Sequence, residues 1–130
     1  MNRLFALFLS LLAVATVSSC GVGSNTPSTY EQITAEKAKA LMDTEQDYII
    51  IDARTQSEYD EGHIPGAILI PEYEIAERAE RELPNKDQLI LVYCRSGRRS
   101  KIAAQALVDL GYTNVKEFGG IIDWQYDITK

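Results

Sequence analysis

Three continuous apolar runs constrain this chain more than anything else in it: YIIID at 48–52, AILI at 67–70 and LILVY at 89–93. A half-exposed strand alternates apolar and polar residues. An uninterrupted run of four or five fits a strand covered on both faces, as in a parallel sheet. Helical patterns lie between the runs. Thr34 caps a helix whose Ala35, Ala38, Leu41 and Met42 share a face, and residues 72–83 place Ile75, Ala76, Ala79 and Leu83 in register before Pro84 and Asn85 stop it. A further helix from Ser100 is expected to bury Ile102, Ala103, Ala106, Leu107 and Leu110 and to end at Gly111. A short strand at 30–33 and another, NVKEF, at 114–118 complete the alternation, with Gly119, Gly120 and a short helical end containing Trp124 after them. The expected class is α/β, with a mostly parallel five-stranded sheet flanked by helices on both faces. The stretch ARTQSEYDEGHIPG at 53–66 reads as a polar loop.

The first 20 residues, MNRLFALFLSLLAVATVSSC, hold one basic residue, Arg3, then an apolar run over 4–17, then small residues before a cysteine. That is the grammar of an export signal, and the apolar run is short for a bilayer-spanning helix. Residues 17–20, VSSC, resemble the lipobox of bacterial lipoproteins, which implies cleavage before Cys20 and lipid attached to it. The expected organisation is a lipoprotein signal peptide at 1–19, the lipidated cysteine and a flexible tether at 20–29, and one folded domain at 30–130. The tether, GVGSNTPST after Cys20, is small and polar and spans about 15 to 20 Å as a coil. The expected location is the cell envelope, lipid-anchored to a membrane outside the cytoplasm, on a periplasmic or extracellular face. Lipid on Cys20 would leave Cys94, the only other cysteine, without an internal disulfide partner.

The formal net charge is −6, and loss of the signal would remove only Arg3 from the charged residues. Nucleic acid is therefore not an expected partner. Against that acidity the segment CRSGRRSK at 94–101 gathers four cations, Arg95, Arg98, Arg99 and Lys101. Cys94 follows the third apolar run and so stands at the carboxyl edge of the sheet, where ligands bind in open parallel sheets. Asp52 ends the first run, so the loop opening Asp52-Ala53-Arg54 faces the same edge. Gly97 permits a tight loop, and successive N–H groups curling into a helix N-terminus cradle anions. Such surroundings lower the pKa of a thiol, so Cys94 is expected to be largely thiolate at neutral pH. A nucleophilic sulfur anion and an anionic substrate would share one electropositive site.

Three segments together resemble the rhodanese family: CRSGRRS at 94–100, DARTQSEYDEGHIPGAILIP at 52–71 and GGIIDW at 119–124. The likeness runs from about residue 30 to the C-terminus and is to single-domain members, including exported ones. It implies a sulfurtransferase in which Cys94 takes a sulfur atom from a small anionic donor such as thiosulfate. The resulting persulfide is passed to cyanide or a thiol, or to a protein sulfur acceptor. The resemblance implies a substrate-binding loop of Arg95, Ser96, Gly97, Arg98, Arg99 and Ser100, whose amides surround the persulfide. Arg99 and Arg98 are the first candidates for gripping the donor's oxygens. It implies a supporting, ion-paired brace of Asp52, Arg54 and Glu58, and neither a metal nor an organic cofactor. His63, the only histidine, could suit a Cys-His hydrolase, but in GHIPGA it is expected to shape a turn. Two other readings stand beside sulfur transfer. Cysteine-dependent phosphatases place an arginine six positions after the cysteine, where this chain has Ser100. A persulfide carrier or docking module would use the same fold without turnover.

Overall fold

The computed structural model describes residues 27–130; the signal-like segment and Cys20 lie outside the described residues. The elements are β1 (Glu31–Gln32), α1 (Ala35–Thr44), β2 (Tyr48–Asp52), α2 (Gln56–Glu61), β3 (Ile68–Leu69), α3 (Ile75–Glu82), β4 (Leu89–Cys94), α4 (Arg98–Asp109) and β5 (Val115–Gly120). Single 3-10 turns at Glu72–Glu74 and Ile121–Asp123 precede α3 and follow β5. The five strands form one sheet in the order β1-β5-β4-β2-β3, and every pairing is parallel. The expected α/β sheet is present, with β4 at its centre.

All six residues of β4 are buried, which is why its sequence shows no alternation. Ile90, Val92 and Cys94 face a layer formed by α3 and α4 through Ile75, Ala79, Leu83, Ala103, Ala104 and Leu107. Leu91 and Tyr93 face the other way, onto Ala38 of α1, Ile64 and Phe118. Helices thus cover both faces of the sheet.

Local departures from expectation have local causes. The stretch 53–66 contains α2, a helix with no buried residue and therefore no apolar period to betray it. Its one signal is the pair Thr55 and Glu58: the Thr55 hydroxyl accepts from the Glu58 N–H and donates to the Glu58 carboxylate. Helix α4 starts at Arg98, two residues before Ser100, and its buried stripe is Ala103, Ala104, Leu107 and Val108; Ile102 is 50 % exposed. Ala76 is likewise exposed, on the outer side of α3. Of the expected tether, the described residues Ser28 and Thr29 hydrogen-bond Gln105 on α4. No helix among the described residues is long and apolar enough to cross a membrane.

A buried ion pair locks the carboxyl end of β2. Asp52 is fully buried, and its carboxylate accepts from Arg54 Nε at 3.0 Å and Nη2 at 2.7 Å, and from the Tyr93 hydroxyl at 2.6 Å. Arg54 Nη2 also donates to the Gly62 carbonyl at 2.7 Å, and its guanidinium lies over the Tyr93 ring. Burial and the neighbouring Asp52 charge push the Tyr93 hydroxyl far above its ordinary pKa, so it remains a donor. No fully buried nitrogen or oxygen of the pair lacks a hydrogen-bond partner. Losing one partner of such a buried pair costs about 3–5 kcal/mol, because the other is stranded. The pair fixes β2 against β4 and ties both to the end of α2.

Candidate active site

The chain leaves β4 at Cys94 and must turn within three residues to start α4. Gly97 makes this possible with a left-handed φ of 99°, a conformation that strains any residue with a Cβ. Gly97 also occupies the N-cap of α4, and no side chain caps the helix there. The first-turn N–H groups are therefore available to the sulfur, at the positive end of a 12-residue helix. Gly97 N–H donates to Cys94 Sγ at 3.0 Å, and the amides of Ser96 and Ser100 also point at it.

The floor of the loop depends on a second glycine. β5 passes so close that a Cβ on Gly120 would lie 2.0 Å from the Arg95 carbonyl oxygen and 2.5 Å from the Ser96 nitrogen. The following 3-10 turn grips the loop as well, with Ile122 N–H donating to the Arg95 carbonyl at 3.3 Å. The GGIIDW segment is thus the second wall of the cysteine loop.

Cys94 is 1 % exposed, so its sulfur lies within the loop and not on its rim. Burial alone would raise the thiol pKa; hydrogen bonding with the Ser100 hydroxyl and with the Ser100, Gly97 and Ser96 amides outweighs it and holds the thiol below its ordinary value. The Ser100 hydroxyl, itself fully buried, lies 3.3 Å from Sγ and 2.7 Å from an oxygen of Glu117 on β5.

The cations divide into two groups. Arg95 and Arg98 are exposed around the loop, and with Lys101 they make no ion pair with any described residue. Arg99 is engaged: Nη1 and Nη2 hold the two Glu58 oxygens at 2.7 and 2.9 Å, and this pairing lowers the Glu58 pKa to about 2. The brace read from the sequence is therefore two separate pairs, Asp52 with Arg54 and Glu58 with Arg99. Ser96 is exposed at the loop's tip, while Gly97 and Ser100 are buried within it. His63 stacks on Tyr59 with ring centroids 3.6 Å apart, keeps Nδ1 2.9 Å from the Tyr59 carbonyl, and pairs its backbone with Thr129. Among the described residues no three His, Cys, Asp or Glu side chains are grouped to hold a metal.

Three functional positions escape sequence reasoning. Tyr93 reads simply as strand, and Gly120 only as part of GGIIDW after the last strand, with no contact assigned to it. Glu117 reads as a polar residue of a strand, although it is 2 % exposed beside the cysteine loop.

A central parallel strand ending in a cysteine, with the next loop curled around the sulfur, defines a class of anion-binding thiol sites. The rhodanese-like domain family matches residues 34–127, and the chain belongs to it. It is 41 % identical over 73 residues to the thiosulfate sulfurtransferase PspE of Escherichia coli (strain K12), covering 56 % of this chain and 70 % of that protein. Over 102 residues it is 35 % identical to the putative sulfur carrier protein YrkF of Bacillus subtilis (strain 168), covering 78 % of this chain and about half, 54 %, of that one. A solved structure of a rhodanese with anions from E. coli superposes with a TM-score of 0.61 at 37 % identity, covering 64 % of this chain and 98 % of that one.

The close approach at Gly120 makes a sharp test of the loop. Gly120→Ala forces the Arg95–Ser96 peptide away from β5, which pulls amides off the sulfur. Alkylation of Cys94 by iodoacetamide at neutral pH should then slow, by up to about tenfold for each unit that the thiol pKa rises. An unchanged rate would mean that contact with β5 does not shape the loop.

Proposed function

We propose that this domain is a sulfurtransferase that moves sulfur from thiosulfate to cyanide or a thiol through a persulfide on Cys94. The observation that carries the reading is the set of backbone amides converging on Cys94 Sγ. The thiolate attacks the outer sulfur of thiosulfate. A sulfur–sulfur bond forms to Cys94, the thiosulfate bond breaks, and its electron pair leaves on sulfite. The acceptor then attacks the outer persulfide sulfur and returns Cys94 as thiolate; with cyanide the product is thiocyanate. Charge stays on sulfur throughout, and fixed amides stabilise it without reorganisation.

Arg98 and Arg95 are the guanidiniums available to meet the donor's oxygens. Arg99 contributes its positive field while bound to Glu58. A phosphatase is a poorer fit: the sixth position after Cys94 is Ser100, buried against Cys94 and Glu117, where a phosphoryl group would need an arginine. The buried sulfur also suits a persulfide carrier, in which a protein acceptor collects the atom. That variant uses the same first half-reaction.

The sequence of residues 1–29 supports a further part of the proposal: the domain works on a membrane surface outside the cytoplasm, held by lipid on Cys20.

With thiosulfate and cyanide, the wild-type protein should form thiocyanate, and with thiosulfate alone its intact mass should rise by one sulfur atom. Cys94→Ala should do neither; equal activity in both proteins would refute the assignment. In cells, Cys20→Ser should move the protein from the membrane fraction to the soluble envelope fraction, and continued membrane retention would contradict the anchor.

A further inference from the structure

Glu117 is a carboxylate that stability alone does not explain. It stands two residues after Val115 on the same face of β5, directed at α4, and is 2 % exposed. It makes no ion pair with any described residue. Its Oε1 accepts from the Gly119 N–H at 2.8 Å and from the Ser100 hydroxyl at 2.7 Å. Burying an unpaired carboxylate is costly, and an apolar residue would continue the stripe that Val115 begins. What lies beyond Ser100 gives the carboxylate a use: Cys94 Sγ, 3.3 Å from the same hydroxyl.

We propose that Glu117 is a positioning residue that takes up the Cys94 proton through Ser100, so that thiol and carboxyl share one proton across a buried three-residue chain. The inference rests on the reading of Cys94 as the nucleophile.

In one state the thiol donates to Ser100 Oγ, and Ser100 donates to Glu117 Oε1. The transfer breaks the S–H bond, leaves its electron pair on sulfur, and forms a new O–H bond at Ser100. The former Ser100 proton passes to Glu117 Oε1. The final state is a thiolate accepting from Ser100, which accepts from a neutral Glu117. Atoms, electrons and net charge balance, and no hydrogen bond is lost; each one reverses direction. The Ser100 hydroxyl has one proton and can serve only one anion at a time. The Gly97 amide of the cysteine loop donates to the sulfur, and the Gly119 amide donates to the carboxylate. Ionising both would place two negative charges in a buried space two hydrogen bonds apart, so the second proton leaves at higher pH.

Other charges near the chain are engaged elsewhere or exposed. On α4, Arg99 holds Glu58, while Arg98 and Lys101 are exposed. On β1, Glu31 pairs with Lys116 of β5. Asp52 and Arg54 pair with each other next to Tyr93, which faces away from α4. None of them hydrogen-bonds to Cys94 or Glu117, so a two-group titration is the signature to seek.

The test is the rate of Cys94 alkylation by iodoacetamide as a function of pH, read at that residue by peptide mass, in wild type, Glu117→Gln and Ser100→Ala. Wild type should rise in two steps separated by at least about one pH unit. Glu117→Gln keeps the shape but cannot take a proton, and should rise in one step. Ser100→Ala cuts the connection and should also lose the two-step form. A carboxylate with a purely structural role would change the folding temperature without changing the number of steps. A single step in wild type, or two steps persisting in the folded variants, overturns the proposal. Should Glu117→Gln fail to show cooperative thermal unfolding, Ser100→Ala decides. Alkylation uses no sulfur donor, so this result is independent of whether Cys94→Ala abolishes thiocyanate formation.

Discussion

The site exists because two strand ends approach one another with no side chain between them. β5 carries Gly120 where the Arg95–Ser96 peptide passes, and the loop itself carries Gly97 where the chain must turn with a positive φ. With both contacts made, the peptide leaving β4 curls back on its own cysteine, and its N–H groups have the sulfur as their common acceptor. A helix of 12 residues begins immediately after, adding its positive end. The same geometry lets a buried sulfur be held as an anion, because fixed amides replace the water that burial removes.

The two ion pairs serve this arrangement at different depths. Asp52 and Arg54 act from within the fold, holding the end of β2 to Tyr93 on β4 and to Gly62 at the end of α2. Once α2 is placed, its Glu58 reaches across to Arg99 in the first turn of α4. Placement therefore passes from the sheet to α2, from α2 to the start of α4, and so to the cysteine loop. Arg99 belongs to that bracing through Glu58, which leaves the exposed Arg95 and Arg98 as the cations at the loop's surface.

The central sheet was readable from the chain because strands buried on both faces carry their environment in their composition, and β4 is the extreme case. The cysteine loop was readable because its glycine and cations are contiguous. What was not readable depends on contacts between distant residues. The start of α4 lies two residues before the expected one, within what helical periodicity leaves open, and separately its buried stripe is rotated, so that Ile102 is exposed and Ala104 and Val108 are buried. Glu117 resembles a solvent-facing strand residue until packing brings Ser100 against it from 17 positions away, and Glu58 finds Arg99 from 41 positions away. Helix α2 buries nothing, so only its Thr55 and Glu58 capping pair marks it in the sequence.

The claim beneath all of this is that the loop holds Cys94 as an anion. Its most direct measurement is a titration of thiolate absorbance in the ultraviolet, with Cys94→Ser as the blank. The fold predicts that this thiol ionises below its ordinary value of 9.0, because the loop's hydrogen bonds outweigh burial. A Cys94 that ionises only at or above 9.0 would show that burial dominates over the amides, and would contradict the account.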